Sequence, residues 1–568
     1  MPHSLTAQCC ASTVALSRQG RSAAVPSESY DFIIVGAGTA GCVLANHLSE
    51  SPGLTVCLVE AGDRDRYPLI KVPAAVAFTV LNPKLGWGYQ TVPQPYCNNR
   101  RVVLPRGRVL GGSSSTNGMV YFRGHPGDYD DWAATGARGW SYAELLPYFL
   151  RSEHNPSFAD SPYHHVGGPM AVSSIPQVNP LATAFLESIR SLGLKDCADF
   201  NGADPEGFGA RQGTIRNGRR ESGVSAFLRP VERRRNLKVI VNALAHRVLL
   251  EQHRAIGLQI ERDGSPLTLT ARREVILCGG SYGSPALLLR SGIGPVGHLK
   301  SAGIQPIHEL AGVGQGLRDH PSAEIQMVTR DTTSYGVSWP KMFANALTLV
   351  RYLAFRNGPI ASNLFEAHGF FKSDPVLPRP DLQIIMVPAR RNEKPLALPR
   401  GHGYGVIAAL VRPKSFGSIR IVSPDARDKP LIDLNLLADF DDVVRIRTGL
   451  RLARRILNGK DFERYHATEL KPGSHADTDQ QLDQHIRQTC AIVHHPTSSC
   501  RMGDDAGAVV DWNLKVHGIE GLRVVDASIC PTLPAGNTNA IVVMIAEKAA
   551  DLILGRPAPA ALPLPHAH

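Results

Sequence analysis

A mixed α/β (α+β) fold, with one Rossmann-like domain and a second domain built on an antiparallel sheet, is predicted by three observations. The first is a strand, glycine turn and helix near the start, "YDFIIVGAGTAGCVLANHLSE" from Tyr30. Ala40, Val43, Leu44 and Leu48 recur there at helical spacing. The second is an apolar strand, "TVCLVEAGD", that ends in Glu60. The third lies late in the chain, where "PDLQIIMVPA" (380–389), "GYGVIAALVRP" (403–413) and "GSIRIVSPD" (417–425) read as strands and "DDVVRIRTGLRLARRIL" (441–457) as an amphipathic helix. At 568 residues the chain exceeds what one hydrophobic core serves, so two domains are expected.

Each part of the opening unit has a physical role. Gly36 permits a tight turn, Gly38 lets the backbone approach a pyrophosphate, and Gly41 lets the helix pack against the strand. Free N–H groups at the helix start, around Thr39 and Ala40, then point at the anion. Glu60 stands nineteen residues beyond Gly41, where a carboxylate accepts from a ribose hydroxyl. An acid there with no adjacent arginine argues against a 2′-phosphate, which leaves an adenine dinucleotide of the FAD or NAD type. A second glycine- and serine-rich stretch, "PRGRVLGGSSSTNGMVYFRG" (105–124), suits a loop lying on a long ligand.

Composition excludes other classes. The net charge of +11 comes with basic runs at 216–221 and 233–235, but these sit among acidic and apolar residues without a nucleic-acid motif and read as solvated surface. No apolar run is long enough to span a bilayer. Ten cysteines without a C-x-x-C pair indicate a reducing compartment, so a cytoplasmic protein, at most peripheral to the inner membrane, is expected. Residues 1–29 and the Pro/Ala-rich 557–568 are expected to lie outside the fold as disordered ends.

"VHHPTSSC" (493–500) carries the acid–base candidates. On a strand, His494 and His495 would point to opposite faces, so one of them is a base and a metal site using both is not expected. Asn537 and Asn539 precede a helix expected from about Ala540 to a stop at Gly555, and either would serve as its N-cap. A rival reading comes from "GGSYG" (279–283), a nucleophile-elbow pattern with Ser281 as nucleophile, Asp442 as acid and His495 as base, which would make a serine hydrolase.

The stretch 105–124, with "GSYGSPALLLRSGIGP" (280–295), "HPTSSCRMG" (495–503) and "GLRVVDASICPTLPAGNTNAIVVMIAEKAADLI" (521–553), resembles the glucose-methanol-choline oxidoreductases, and among them the bacterial choline and alcohol dehydrogenases. The matching segments run in family order from Tyr30 to about Gly555. The resemblance implies FAD held by Gly36, Gly38, Gly41 and Glu60, with Gly112 and Asn117 near the flavin and the backbone of Ala245 near the adenine. It puts Asp526 and Ala527 by the pyrophosphate and ribitol, and Asn537 and Thr538 by the flavin. Some relatives link FAD through a histidine where this chain has Thr116, so noncovalent FAD is expected. His495 is implied as the catalytic base with Asn539 as its partner on the substrate oxygen, and Cys500 as structural. Met119, Glu366 and His494 are implied at the substrate site, with Glu366 able to pair with a quaternary ammonium. The activity implied is oxidation of a primary alcohol to an aldehyde, with oxygen, a quinone or a dye as acceptor. Choline oxidation is the alternative, and a lyase that keeps FAD is another. Motif positions imply a discontinuous FAD domain (30–156, 206–321, 491–556) around a substrate domain (157–205, 322–490).

Overall fold

The computed structural model describes residues 27–175, 178–391 and 401–566. Ser27–Val35, which ends in the β-branched residues 33–35, forms a strand paired in parallel with Val56–Val59 on one side and Ser265–Leu277 on the other, Phe32 opposite Val56 and Ile33 opposite Val275. Leu237–Ile240 extends this sheet in parallel at one edge, and Leu522–Val524 pairs with the end of Ser265–Leu277. The antiparallel strands Arg254–Arg262 and Ala243–Glu251 complete its seven strands. Val56–Val59 is buried throughout, as a strand covered on both faces must be. The helices Thr39–Leu48 and Asn539–Leu554 pack on each other against this sheet and share one apolar core with it.

A second seven-stranded sheet is antiparallel throughout. Its order is Thr468–Lys471, Pro321–Thr329, His402–Leu410, Leu382–Val387, Ala367–Phe371 and Gly207–Ala210, with Ala491–Ile492 paired to the start of Pro321–Thr329. Side chains alternate across it. Leu382, Ile384 and Met386 enter the core formed with the helices Pro180–Ser191 and Phe440–Leu457, whereas Ile385 and Val387 join Ile407 and Phe365 on the opposite face. That face looks into the main cavity, which Ile385, Val387 and Ile407 line.

Three expectations change. Gly417–Arg420 joins a separate three-stranded sheet with Gln315–Leu317 and Leu431–Asp433, because its partners are those segments and not the substrate sheet. Gly207–Ala210 and Ala491–Ile492, assigned by motif order to the FAD domain, hydrogen-bond instead to strands of the second sheet. The tail beyond Gly555 is docked near its end: Leu562 N–H donates to Ala143 O, His566 meets Asp130 Oδ2 at 2.8 Å, and the half-buried Leu562 and Leu564 pack on the core, while most of 556–561 is exposed. Its prolines preclude helix yet leave the leucines free to bury. Residues 1–26 fall outside the described residues, and Ser27 onward already forms the first strand. No helix among the described residues is long and apolar enough to cross a membrane.

Candidate active site

A single cavity of about 1640 Å³ runs from the glycine turn to the histidines. It exceeds the roughly 300–1,000 Å³ of an ordinary small-ligand pocket and so has room for more than a substrate. Its dinucleotide end is defined by where a side chain could not fit. A Cβ on Gly36, at φ +103°, would lie 2.5 Å from Cys278 O, and one on Gly41 would lie 2.0 Å from Gly36 O. At Gly38, Gly280 and Gly283 nothing stands within 4 Å, and all three line the cavity. Two glycine turns far apart in sequence therefore present open backbone to it. The 105–124 loop crosses the first turn, where a Cβ on Gly112 would meet Gly38 Cα at 2.9 Å.

Glu60 closes this end. It accepts from Ala37 N–H at 3.0 Å and Gly62 N–H at 2.8 Å, and burial pushes its carboxyl up to about 7. Asp526 accepts from Gly280 N–H and the Ser284 hydroxyl, which ties the second turn to the C-terminal motif. Thr39, Ala40, Ala245, Ala527 and Thr538 also line the cavity, whereas Gly41 serves packing alone. Asn117 is set by Arg220, whose Nη1 donates to both its carbonyl oxygen and its Oδ1. Met119, held at φ +56° beside it, lines the cavity.

At the other end the local backbone overturns the strand argument for the two histidines. Only Ala491–Ile492 is strand, and His494 has φ +69°, so alternation stops before it and both rings line the cavity. Arg106 Nη2 holds this conformation by donating to His494 O at 2.6 Å. His495 lies deeper. Its N–H donates to Asp319 Oδ1 at 2.8 Å, its Nδ1 is 3.2 Å from His320 Nδ1, and its Nε2 accepts from Asn537 Nδ2 at 3.0 Å. With Nε2 as acceptor, the ring proton sits on Nδ1 and is shared with His320. Burial, then His320, His494 and Arg106, hold His495 well below its ordinary pKa, so the ring is neutral and Nε2 carries a lone pair.

The partner of His495 is thus Asn537 and not Asn539. Asn539 begins the last helix and accepts from the Thr39 hydroxyl at 2.8 Å, bonding the C-terminal motif to the first glycine turn. Thr538 is the N-cap and makes no side-chain capping bond, so neither asparagine is used for capping.

Glu366 does not reach the cavity. Its carboxylate accepts from Tyr335 OH and Ser362 Oγ, each at 2.7 Å, and from Asn179 N–H at 2.5 Å. A carboxylate satisfied by three donors is a structural tie, which removes its expected role beside a substrate cation. Ser281 is likewise no nucleophile, because its hydroxyl donates to Pro496 O at 2.6 Å and positions the histidine segment. Asp442, the hydrolase acid, accepts from Lys414 and Ser415 N–H instead. Cys500 is fully buried in the core. Among the described residues no cluster of His, Cys, Asp and Glu could hold a metal ion.

Sequence reasoning passed over Arg106, Asp319, His320 and Arg220. One signal was present, since His320-Pro321 repeats the dipeptide His495-Pro496.

The chain is similar to known proteins over most of its length. A family profile described as GMC oxidoreductase matches residues 30–322, and a second of the same description matches residues 413–546. An oxygen-dependent choline dehydrogenase of Brucella anthropi is 41% identical over 529 residues, covering 93% of this chain and 96% of that protein. The structure of pyridoxine 4-oxidase from Mesorbium loti is 32% identical with a TM-score of 0.84, covering 93% of this chain and all of that one. A formate oxidase of Aspergillus oryzae is 28% identical with a TM-score of 0.85, over 94% and 99% of the two chains.

Proposed function

Because the chain belongs to the GMC oxidoreductase family, we propose that it oxidises a primary alcohol to an aldehyde, with the hydroxyl proton passing to His495. The family's cofactor is FAD, and the residues fit it: open glycine backbone at Gly38, Gly280 and Gly283 for the pyrophosphate, and Glu60 for the ribose. When bound, FAD supplies the hydride acceptor.

The observation that carries the reading is the neutral His495 ring with its Nε2 lone pair in the cavity, 3.0 Å from Asn537 Nδ2. A substrate hydroxyl that displaces the Asn537 amide from Nε2 loses its proton there, while the amide donates to its oxygen. Asp319 holds the backbone N–H of His495, and His320 meets its Nδ1 and so sets the tautomer. Anaerobic mixing with a panel of alcohols tests this. Bleaching of the flavin absorbance is expected in the wild type, and a loss of roughly 10²–10⁴-fold in rate with FAD retained in His495→Ala. Wild-type rates in that variant, or no bleaching by any alcohol, would refute it, the latter in favour of a lyase.

Thr116 offers no ring nitrogen to the flavin, which supports noncovalent FAD; acid precipitation should release all the flavin into the supernatant. Choline is the second reading for the substrate, favoured by the 41% identity to choline dehydrogenases described as oxygen-dependent. The same description supports oxygen as acceptor, with quinones compared in the reoxidation step.

A peripheral membrane contact is supported by the helix Met342–Phe355, which exposes Phe343, Leu347, Val350, Leu353 and Phe355, with Trp339 86% exposed just before it. Lys341, Arg351 and Arg356 accompany it, and no acid occurs between Asp331 and Glu366. Exposed apolar area with only cations suits an anionic lipid surface. Sedimentation with phosphatidylglycerol vesicles, lost in Phe343→Glu/Leu353→Glu, is the expected result. Equal recovery of both proteins in the supernatant would end this reading.

A further inference from the structure

Resting on the alcohol-oxidation reading, we propose that Arg211 is a carboxylate-recognition site in the substrate half of the cavity, so that the alcohol oxidised carries an anionic group. Arg211 is 3% exposed and lines the cavity. Among the described residues its Nε and Nη2 are buried without a hydrogen-bond partner. The other fully buried arginines find acceptors for most of their donors, although Arg220 Nη2 also lacks a partner among the described residues. Arg123 Nη2 bonds Glu153 at 2.6 Å, and Arg220 spends its donors on Ile70, Ser114 and Asn117 carbonyl oxygens. Arg211 differs in leaving two nitrogens, Nε and Nη2, without a partner where a ligand enters.

Its position belongs to the substrate and not to the dinucleotide. Arg211 directly follows the edge strand Gly207–Ala210 of the antiparallel sheet, and its N–H donates to Glu366 O at 2.9 Å. The next residues join the 105–124 loop beyond Met119, through Tyr121 N–H to Gln212 O and the bridge of Val120 with Gly213. Its charge is one of those that depress His495. The neighbouring carboxylate, Glu366, is consumed by Tyr335, Ser362 and Asn179 and does not enter the cavity. The acids that do line it near the turns, Glu60 and Asp526, are bonded to backbone there.

Burial lowers Arg211 to about 9, which still leaves it charged near neutrality. A buried, unpaired guanidinium is costly, and a carboxylate from the ligand relieves that cost with two parallel hydrogen bonds. A quaternary ammonium in the same place would meet a like charge. The substrate therefore spans two fixed points, its hydroxyl at His495 Nε2 and its carboxylate at Arg211.

The test uses the FAD-loaded enzyme and matched pairs: 4-(hydroxymethyl)benzoate against benzyl alcohol, and 6-hydroxyhexanoate against 1-hexanol, with choline alongside. At least one hydroxy acid should exceed its neutral partner by about 30-fold or more in kcat/KM. In Arg211→Met that ratio should collapse toward one, and Arg211→Lys should restore part of it. Binding is read separately, by titrating the flavin spectrum with unreactive 4-methylbenzoate and its neutral amide. The carboxylate should bind the wild type, and Arg211→Met should lose it. Neutral alcohols or choline that bleach the flavin as well as the acids, with no preference for 4-methylbenzoate over the amide, would overturn the proposal and leave alcohol oxidation standing. If no alcohol bleaches the flavin, the oxidation reading fails, and the titration still decides whether Arg211 binds a carboxylate.

Discussion

Two asparagines two residues apart should fail in different ways when truncated. Asn537→Ala removes the 3.0 Å donor to His495 Nε2 in a buried site, and with it the amide that faces the substrate oxygen. A hydrogen bond lost from a buried partner costs about 1–3 kcal/mol, which corresponds to roughly 5- to 150-fold in the rate of hydride transfer. Asn539→Ala instead removes the 2.8 Å bond with Thr39, which joins the last helix to the first glycine turn. That loss should appear as weaker FAD retention and lower stability, with the rate per bound flavin within a few-fold of wild type. The assay is stopped-flow flavin bleaching under anaerobic conditions, normalised to flavin content, beside thermal unfolding of the same preparations. A large rate loss per flavin in Asn539→Ala, with Asn537→Ala near wild type, would refute the assignment of Asn537 and restore the partner that motif order implied.

Three further outcomes are expected. Gly38→Ala, with open space around its Cβ, should fold and bind FAD more weakly, whereas Gly41→Ala, placed 2.0 Å from Gly36 O, should not yield soluble protein; FAD content after gel filtration separates the two. Truncation after Gly555 removes the packing of Leu562 and Leu564 and the His566 to Asp130 contact, and should lower stability by roughly 2 kcal/mol in a denaturant titration. Stability should also rise between pH 5 and 6.5. Burial holds His320 and His494 at about 3, and His368 and His495 well below their ordinary value, so the unfolded chain gains protons below about 6.5 that the folded one does not. Each histidine then costs up to about 1.4 kcal/mol per pH unit on acidification. Glu60 and Asp319, raised to about 7 by burial, Asp526, also raised, and His47 and His164, raised despite burial by neighbouring carboxylates, act in the opposite sense, but among the described residues they are five against nine histidines lowered by burial, with His125 at about 4. A melting temperature that peaks at pH 5 would contradict this balance.

The dinucleotide half was legible because its chemistry is local. Gly36, Gly38, Gly41 and Glu60 sit on one strand–turn–helix–strand unit, whose geometry follows from periodicity and glycine spacing. His495 was legible through its motif, and the strands over 382–387 and 402–410 through their apolar runs.

What sequence alone could not decide depends on contacts between distant segments. Strand alternation separated His494 from His495 on paper, yet a left-handed residue held by Arg106, nearly four hundred positions away, turns both toward the cavity. Asn537 and Asn539 are equivalent in composition, and only the start of the last helix against Thr39 sends one to the turn and the other to the base. The same holds for charge: a sequence lists Glu366 and Arg211 as equals, and packing satisfies the first with three donors while leaving two nitrogens of the second without a partner among the described residues. Spacing along a chain determines local backbone geometry, but whether a buried polar group already has a partner is settled only when the tertiary fold brings its neighbours together.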